Sequence, residues 1–586
     1  MRQWMVAAKK ADFYAIAEKF HVDPVVARII RNREVIGEKN IRIYLGGNLL
    51  DLSDPHQMKD MDRLVEILAQ KIRKQVRIRI IGDYDVDGVT SSHLFLTALR
   101  RVGAKVDVVI PHRIQDGYGL SLHLLQQAKE DGVDTILTCD NGIAAIDEIA
   151  WAKAQKMTVL VTDHHAVPFE EHEGRRTEKK SLADAVVNPH QQDCGYPYKE
   201  LCGAGVAWNV IRVLYENYDM DKREAEDLLD FVAMATVCDV MSLTGENRIL
   251  VKEGLKRIRH TKNIGLQALM QACNVQPENI SAYHFGYVLG PCVNATGRLD
   301  TARHALRLFE TGQETEAEEI ARDLVDLNQE RKELTLQGVE MAKKLCEEGG
   351  YENDPVLVLF LPDVHESIAG LIAGRIREMY NRPVFVLTRG EEGVKGSGRS
   401  TENYSMYENM CGCAELFTKF GGHPMAAGLS LPEENVEKFR RKINENCPLT
   451  VEEVCPDIHI DMAMPVGYAS TELVHQFALL EPFGKDNPSP LFADRNLSIS
   501  RMWLIGKNRN VLRMSVLSEY GQPVPVIFFG DVETLFAYFT EKFGQEEVEN
   551  ALHGRKNRIL FSMVYTAKID FYQGNENLQL EMKYYR

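Results

Sequence analysis

Residues 158–165 read Thr158-Val159-Leu160-Val161-Thr162-Asp163-His164-His165. The first five are short, apolar and β-branched, which predicts a strand buried in a parallel sheet. In open α/β sheets ligands collect outside the carboxyl ends of the strands. At that edge this strand delivers one carboxylate and two imidazoles. Such a trio can ligate a divalent metal and hold a phosphate, or it can be an ordinary hydrogen-bonded loop. The other strand ends decide between the two.

Outward from it, further apolar runs lie at 76–81, 106–110, 135–139 and 185–187, separated by helical patterns at 89–102, 121–130 and 143–155. The alternation predicts right-handed βαβ units and a parallel sheet covered by helices. The first strand alternates Arg77 and Arg79 with isoleucines, so it is expected to lie partly open. The charged insertion 170–180 reads as an exposed loop.

Three of these strands end in acid. The first runs into Gly82-Asp83-Tyr84-Asp85-Val86-Asp87-Gly88, and the third ends Thr138-Cys139-Asp140-Asn141-Gly142. The fourth gives Asp163-His164-His165, and an apolar helical stretch, Ala235-Thr236-Val237-Cys238, ends in Asp239. Carboxylates packed together without a cation would raise one another's pKa, so a metal is the natural compensation. Mixed carboxylate and imidazole donors suit manganese or magnesium, and a bridging carboxylate allows two ions roughly 3.5–4 Å apart. Such a pair can activate water for attack on phosphorus, which points to phosphoester or phosphoanhydride hydrolysis.

The 586-residue chain is too long for one core. Its apolar content of 45% and charged content of 26% are those of a soluble globular protein. No apolar run approaches the roughly 20 residues of a membrane span, and no apolar stretch of a secretory signal follows Met1-Arg2-Gln3-Trp4-Met5. Eleven scattered cysteines include no Cys-x-x-Cys pair, and Cys411 and Cys413 form a lone Cys-x-Cys. Reduced thiols in a cytoplasmic enzyme are therefore expected rather than zinc. The net charge of −16 does not exclude a nucleic-acid partner, because a binding track needs only a local basic stripe. Two candidates exist: 71–79, and Arg495, Arg501, Lys507, Arg509 and Arg513. Each can equally be a solvated face.

Five regions follow: an N-terminal helical segment (1–70), the α/β catalytic region (71–245), a helical connection (246–350), a second α/β region (351–450) and a C-terminal β-barrel (451–586). Segment 314–345 reads as one long helix joining two lobes. Short strands at 497–499, 511–516 and 524–529 suggest the barrel.

Taken in order, Asp83-Tyr84-Asp85-Val86-Asp87-Gly88, Thr138-Cys139-Asp140-Asn141-Gly142, Asp163-His164-His165 and Asp239 resemble the motifs of the DHH phosphoesterase superfamily. Within it the chain resembles the RecJ type of single-strand-specific 5′→3′ exonuclease over nearly its whole length. The resemblance implies a DHH domain, a DHH-associated domain and an oligonucleotide-binding (OB) barrel. It implies Asp85, Asp87, Asp140, His164 and Asp239 as ligands of a two-ion Mn2+ or Mg2+ site, with Asp140 bridging. His165 would contact the scissile phosphate, and Asp83 would support the site or add a ligand. Arg113, within 111–120, and Arg298, in Asn294-Ala295-Thr296-Gly297-Arg298, would grip a 5′ phosphate. The second α/β region adds Ser397 and Arg399 from Gly396-Ser397-Gly398-Arg399-Ser400, the signature Gly421-Gly422-His423, and the matching stretch 365–370.

The barrel would offer Trp503 and Tyr520 as stacking faces among basic residues. Two positions depart from the family pattern: Cys292 stands where an arginine is frequent, and Asp486 where the turn before the barrel usually has glycine. The implied substrate is single-stranded DNA with a 5′ phosphate, cut to 5′ mononucleotides in repair and recombination. A monomer working with a helicase and a single-strand-binding protein is expected. The rivals are a DHH enzyme for short oligoribonucleotides or cyclic dinucleotides, and a non-catalytic DHH replication scaffold.

Overall fold

The computed structural model describes every residue except 1, 2, 114, 115, 118, 173, 174, 391, 392, 507, 508 and 573. The chain forms two compact units. One comprises Leu49–Pro456, and the other joins Gln3–Asn48 to Asp457–Arg586.

In the first unit, β1 (Arg77–Ile81), β2 (Lys105–Val109), β3 (Thr135–Cys139), β4 (Thr158–Thr162) and β5 (Ala185–Val187) form an all-parallel sheet in the order β2-β1-β3-β4-β5. This is a doubly wound order whose switch point falls between β1 and β3, so a ligand crevice is dictated beyond their carboxyl ends. The strands are short and apolar because both faces are covered; β3 is buried at every residue.

The expectation that β1 lies partly open is not met. It sits between β2 and β3, and Arg79 is only 5% exposed. Arg79 Nε donates to Asp107 Oδ1 at 2.8 Å, directly across the β1–β2 ladder, and Nη1 to Asp131 Oδ2 at 2.8 Å. Arg77 pairs with the same Asp107, and Lys71 with Asp134. The basic stretch 71–79 is therefore largely neutralised by its own fold. The insertion expected as a loop contains a hairpin, Phe169–His172 against Arg175–Glu178.

Helices α1 (Val86–Arg101), α2 (Gly203–Asn217) and α3 (Leu229–Cys238) pack together beside this sheet, and a helical run ending in α4 (Gly290–Leu299) packs on α3 and α1. One 35-residue helix, α5 (Glu314–Glu348), is about 52 Å long at 1.5 Å per residue. It packs against α4 near one end and α6 (Ala369–Tyr380) near the other, so it does join the two lobes. The second lobe is a mixed sheet of β6 (Leu357–Phe360), β7 (Val384–Gly390), β8 (Gly393–Arg399), β9 (Lys419–His423) and β10 (Ala426–Leu431), ordered β9-β10-β8-β7-β6.

The second unit is built on β11 (Phe492–Ile505), β12 (Val511–Leu517), β13 (Pro523–Phe528), β14 (Leu560–Tyr572) and β15 (Asn575–Tyr585). Pairings run β11-β12-β13-β15-β14 and return from β14 to β11, closing the ring. Helices fill the link between β13 and β14, and the β13–β15 pair is parallel. That is the five-strand topology of an OB barrel. The N-terminal residues belong to this unit: Trp4–Val6 pairs in parallel with Ile458–Ile460, and Arg33 bonds Asp461 at 2.9 Å.

Candidate metal and phosphate site

The loop after β1 turns at once into α1, and its acids are tied to helix starts. Asp85 caps α1, accepting from Gly88 N at 3.0 Å. Asp87, in the first turn of α1, accepts from Gly203 N at 2.6 Å and Ala204 N at 2.7 Å, the first amides of α2. The positive ends of two helices thus face the same carboxylates. Asp140 follows β3 with a left-handed φ of 61°, a conformation Asp tolerates better than most residues. A Cβ at Gly203 would lie 2.6 Å from the Asp140 Cβ, so glycine lets α2 start against the site.

His164 brings Nε2 to 3.0 Å from Asp140 Oδ1, 3.6 Å from Asp87 Oδ2 and 3.6 Å from Asp239 Oδ2. Ligand atoms of Asp87, His164 and Asp239 lie within 4.8 Å of one another, as do those of Asp83, Asp85 and Asp140, and those of Asp140, His164 and His165. Asp83, expected to support the site or add a ligand, is thus inside the donor cluster. Among the described residues, buried Asp83 Oδ1 has no hydrogen-bond partner. Burial, then the charge of neighbouring carboxylates, pushes Asp83, Asp85 and Asp140 upward. Hard oxygen donors, one imidazole and mutual repulsion fit divalent Mn2+ or Mg2+.

Asp163 is spent on its own loop. Its Oδ1 accepts from His164 N (2.7 Å), His165 N (3.0 Å) and His165 Nδ1 (2.8 Å), and Oδ2 from Ile143 N (2.9 Å). Burial alone would lower His165, but the hydrogen bond and charge of Asp163 outweigh it and hold the imidazole at about 9.

Beside the acids lies a gathering of arginines. Arg298, on α4, donates to Ser367 O at 2.6 Å. Arg399 Nη1 donates to Gly398 O at 2.8 Å and Ser397 Oγ at 3.3 Å. Arg113 lies over the Tyr84 ring at 4.7 Å. Burial, then the charges of Arg113, Arg331 and Arg399, pushes Arg298 down to about 10; burial and Arg113 also lower Arg399. Like charges held together in this way favour an anion. A groove of about 550 Å³ runs past Tyr84, Arg113, Ser367, Ser397, Phe420 and Gly421.

Ser397, Gly428 and Gly421 form one row across three strands, and Arg399, Ala426 and His423 another. Residues paired across an antiparallel ladder share a face, so Gly421 and His423 belong to the face of Ser397 and Arg399. Gly421 borders the groove. Gly422 and His423 do not line it; Gly422 has φ 152° and would drive a Cβ to 2.5 Å from Ala426 O. Ile114, Gln115 and Tyr118 of the 111–120 motif lie outside the described residues, as does Lys507 of the second basic stripe.

Three contributors were not read from the chain: the α2 amides at Gly203 and Ala204, Asn294 Oδ1 accepting from Val86 N at 3.2 Å, and Gly297, whose Cβ would meet Tyr84 O at 2.4 Å. Gly203-Ala204-Gly205 after a polar loop was the available signal. Cys292 faces inward, 3.7 Å from Cys273 Sγ and accepting from Asn328 Nδ2. Asp486 is exposed with φ 59°, the backbone state a glycine would supply there. In the barrel, Arg501 and Arg513 flank the Trp503 ring at 5.7 and 5.9 Å, and Tyr520 is exposed.

Fold and donor set together define a DHH-type phosphoesterase. Residues 77–236 match the DHH family, N-terminal domain, 353–447 the DHHA1 domain and 460–584 the RecJ OB domain. The single-stranded-DNA-specific exonuclease RecJ of Haemophilus influenzae is 32% identical over 582 residues, 96% of each chain. The Bacillus subtilis RecJ is 33% identical over 512 residues, 87% of this chain, and the match spans 63% of that relative. The crystal structure of Thermus thermophilus RecJ with Mn2+ superposes with a TM-score of 0.81 at 25% identity, over 100% of this chain and 79% of that one. The chain belongs to the RecJ family of single-stranded-DNA-specific exonucleases.

Proposed function

We propose that the protein is a metal-dependent 5′→3′ exonuclease that hydrolyses single-stranded DNA to 5′ mononucleotides, in repair and recombination. The observation that carries this reading is the arginine cluster standing beside the acid–imidazole cluster in one unit. The first can hold a terminal phosphate while the second meets the next phosphodiester.

On this reading Asp85, Asp87, Asp140, His164 and Asp239 are ligands, Asp140 is shared between two subsites, and Asp83 adds a donor. Mn2+ or Mg2+ bound there would supply an activated water and stabilise charge on the leaving oxygen. His165, its ring fixed by Asp163, donates to the phosphoryl group. Arg113, Arg298, Ser397 and Arg399 hold the 5′ phosphate and set the distance to the first scissile bond. Gly421 keeps the groove open, and Gly422 and His423 shape its sheet. Region 71–245 carries the chemistry, 351–450 the grip and 451–586 the strand, with Trp503 between two arginines as a base-stacking face. A cytoplasmic monomer, supplied by a helicase and sharing strands with a single-strand-binding protein, completes the reading.

The complete donor set counts against a non-catalytic scaffold, and the barrel against a cyclic-dinucleotide enzyme. Incubation with Mn2+ and either 5′-phosphorylated single strands or cyclic dinucleotides tests it. Mononucleotides should appear only from the strands, and Asp87→Ala should abolish release while retaining strand binding. Turnover of wild-type speed by that variant would sink the assignment.

A further inference from the structure

We propose that Tyr283 and Tyr287 form a stacking platform for bases on the 3′ side of the cleaved bond, an inference that rests on the exonuclease reading above. The two side chains are 62% and 71% exposed, and their rings stack with centroids 5.1 Å apart and an interplanar angle of 22°. A contiguous pair of aromatic faces left in water is unlike a single scattered surface tyrosine. The pair sits on the helical run 282–299, in which Phe285–Leu289 is wound as a π-helix. Such single wide turns recur at functional sites.

The run buries Phe285, Leu289, Val293 and Thr296, while Tyr283 and Tyr287 are exposed and Pro291, Asn294 and Arg298 are half-buried. Their steps of three and four residues trace one line along the helix surface. At one end of the line Arg298 joins the arginine cluster. Asn294 follows, holding the Val86 amide of the acidic loop at 3.2 Å. The tyrosines come next. Cys238, the neighbour of Asp239, donates to Phe285 O at 3.3 Å, so the wide turn is built on the helix end that presents Asp239. At 1.5 Å per residue, Tyr287 stands about 16 Å along the axis from Arg298, a span of a few nucleotides.

The order along the line is terminal phosphate, acid cluster, aromatic pair. A strand held by its 5′ phosphate at Arg298 and cut at the acid cluster therefore reaches the tyrosines with bases beyond the cut. Stacking on a π-face tolerates any base, which suits an enzyme that must degrade any sequence.

The test uses the full-length protein, Mn2+, and 5′-phosphorylated single strands carrying one abasic nucleotide moved stepwise from the 5′ end. For the wild type, KM should rise about ten-fold when the abasic position falls in one window past the scissile bond, with kcat little changed. Tyr283→Ala/Tyr287→Ala should show the raised KM on intact strands and no longer respond to the abasic position. Tyr283→Phe/Tyr287→Phe, which keeps the ring faces, should behave as wild type. A wild-type KM and an unchanged abasic profile in the alanine variant overturn the platform and leave the exonuclease reading standing. No hydrolysis of intact strands by the wild type overturns both.

Discussion

Asp163 and His164 are adjacent, yet their atoms serve different purposes. The oxygens of Asp163 are occupied by Ile143 N, His164 N, His165 N and His165 Nδ1, whereas His164 Nε2 faces three carboxylates. Asp163 thus acts by orienting its neighbours. Asp163→Ala should lower Mn2+ affinity roughly 10–100-fold while leaving every proposed ligand in place, as titration calorimetry can measure. A second buried histidine behaves differently. His93 packs on Phe231, with ring centroids 4.4 Å apart. Burial, then the charges of Arg100 and Arg101, pushes it down to about 3. Because the folded pKa lies below the unfolded value of about 6.5, the unfolded chain takes up the extra proton as pH falls. Stability from this group is whole above about 6.5 and declines toward about 3, by at most about 1.4 kcal/mol per pH unit. His93→Phe should flatten that limb in urea denaturation followed across pH. An unchanged slope would remove His93 as its source.

At the scale of elements, the five strands of the catalytic sheet and the acids at their ends were legible, because short β-branched runs and strand-end chemistry are local properties. The electrostatics of β1 were not. Arg79 finds Asp107 and Asp131 at separations of 28 and 52 residues, so a basic stripe in the chain becomes a buried ion network in the fold. The hairpin at 169–178 was hidden by its charged residues, which carry no apolar alternation. The amides at Gly203 escaped for the same reason as the ion network, since nothing local to α2 names Asp87 as its partner. Arg79→Leu should cost about 1–3 kcal/mol by removing the buried guanidinium that ties Asp107 to Asp131, although Arg77 still pairs with Asp107. Arg79→Leu combined with Asp107→Leu should cost less than the sum of the two single changes. A double-mutant cycle in urea checks both, and additive losses would show that the two residues do not interact.

On the scale of the whole molecule, the division into two units does not follow the order of the chain. The apolar face of the first helices, Val25, Val26, Ile29 and Ile30, is buried in the core that also holds Met464, Leu473 and Leu480. No local pattern in 1–48 announces a partner more than four hundred residues away. A fragment of residues 49–456 should therefore be soluble and still release mononucleotides from 5′-phosphorylated strands, with weaker strand binding. A fragment of residues 1–456 should aggregate, because it keeps the helices without their core. Size-exclusion chromatography beside the nuclease assay distinguishes them, and equal solubility would contradict the shared core.

Joining the two ends of the chain in one unit also sets a timetable for biosynthesis. Translation proceeds at about 5–20 residues per second, so the first 48 residues leave the ribosome roughly 20–80 seconds before the first strand that pairs with them. The sheet bearing the acids can fold during that interval. The N-terminal helices cannot, and their apolar face stays open to chaperones until the last segment is synthesised. In the cell residues 3–48 are made before the acid-bearing sheet and completed after it.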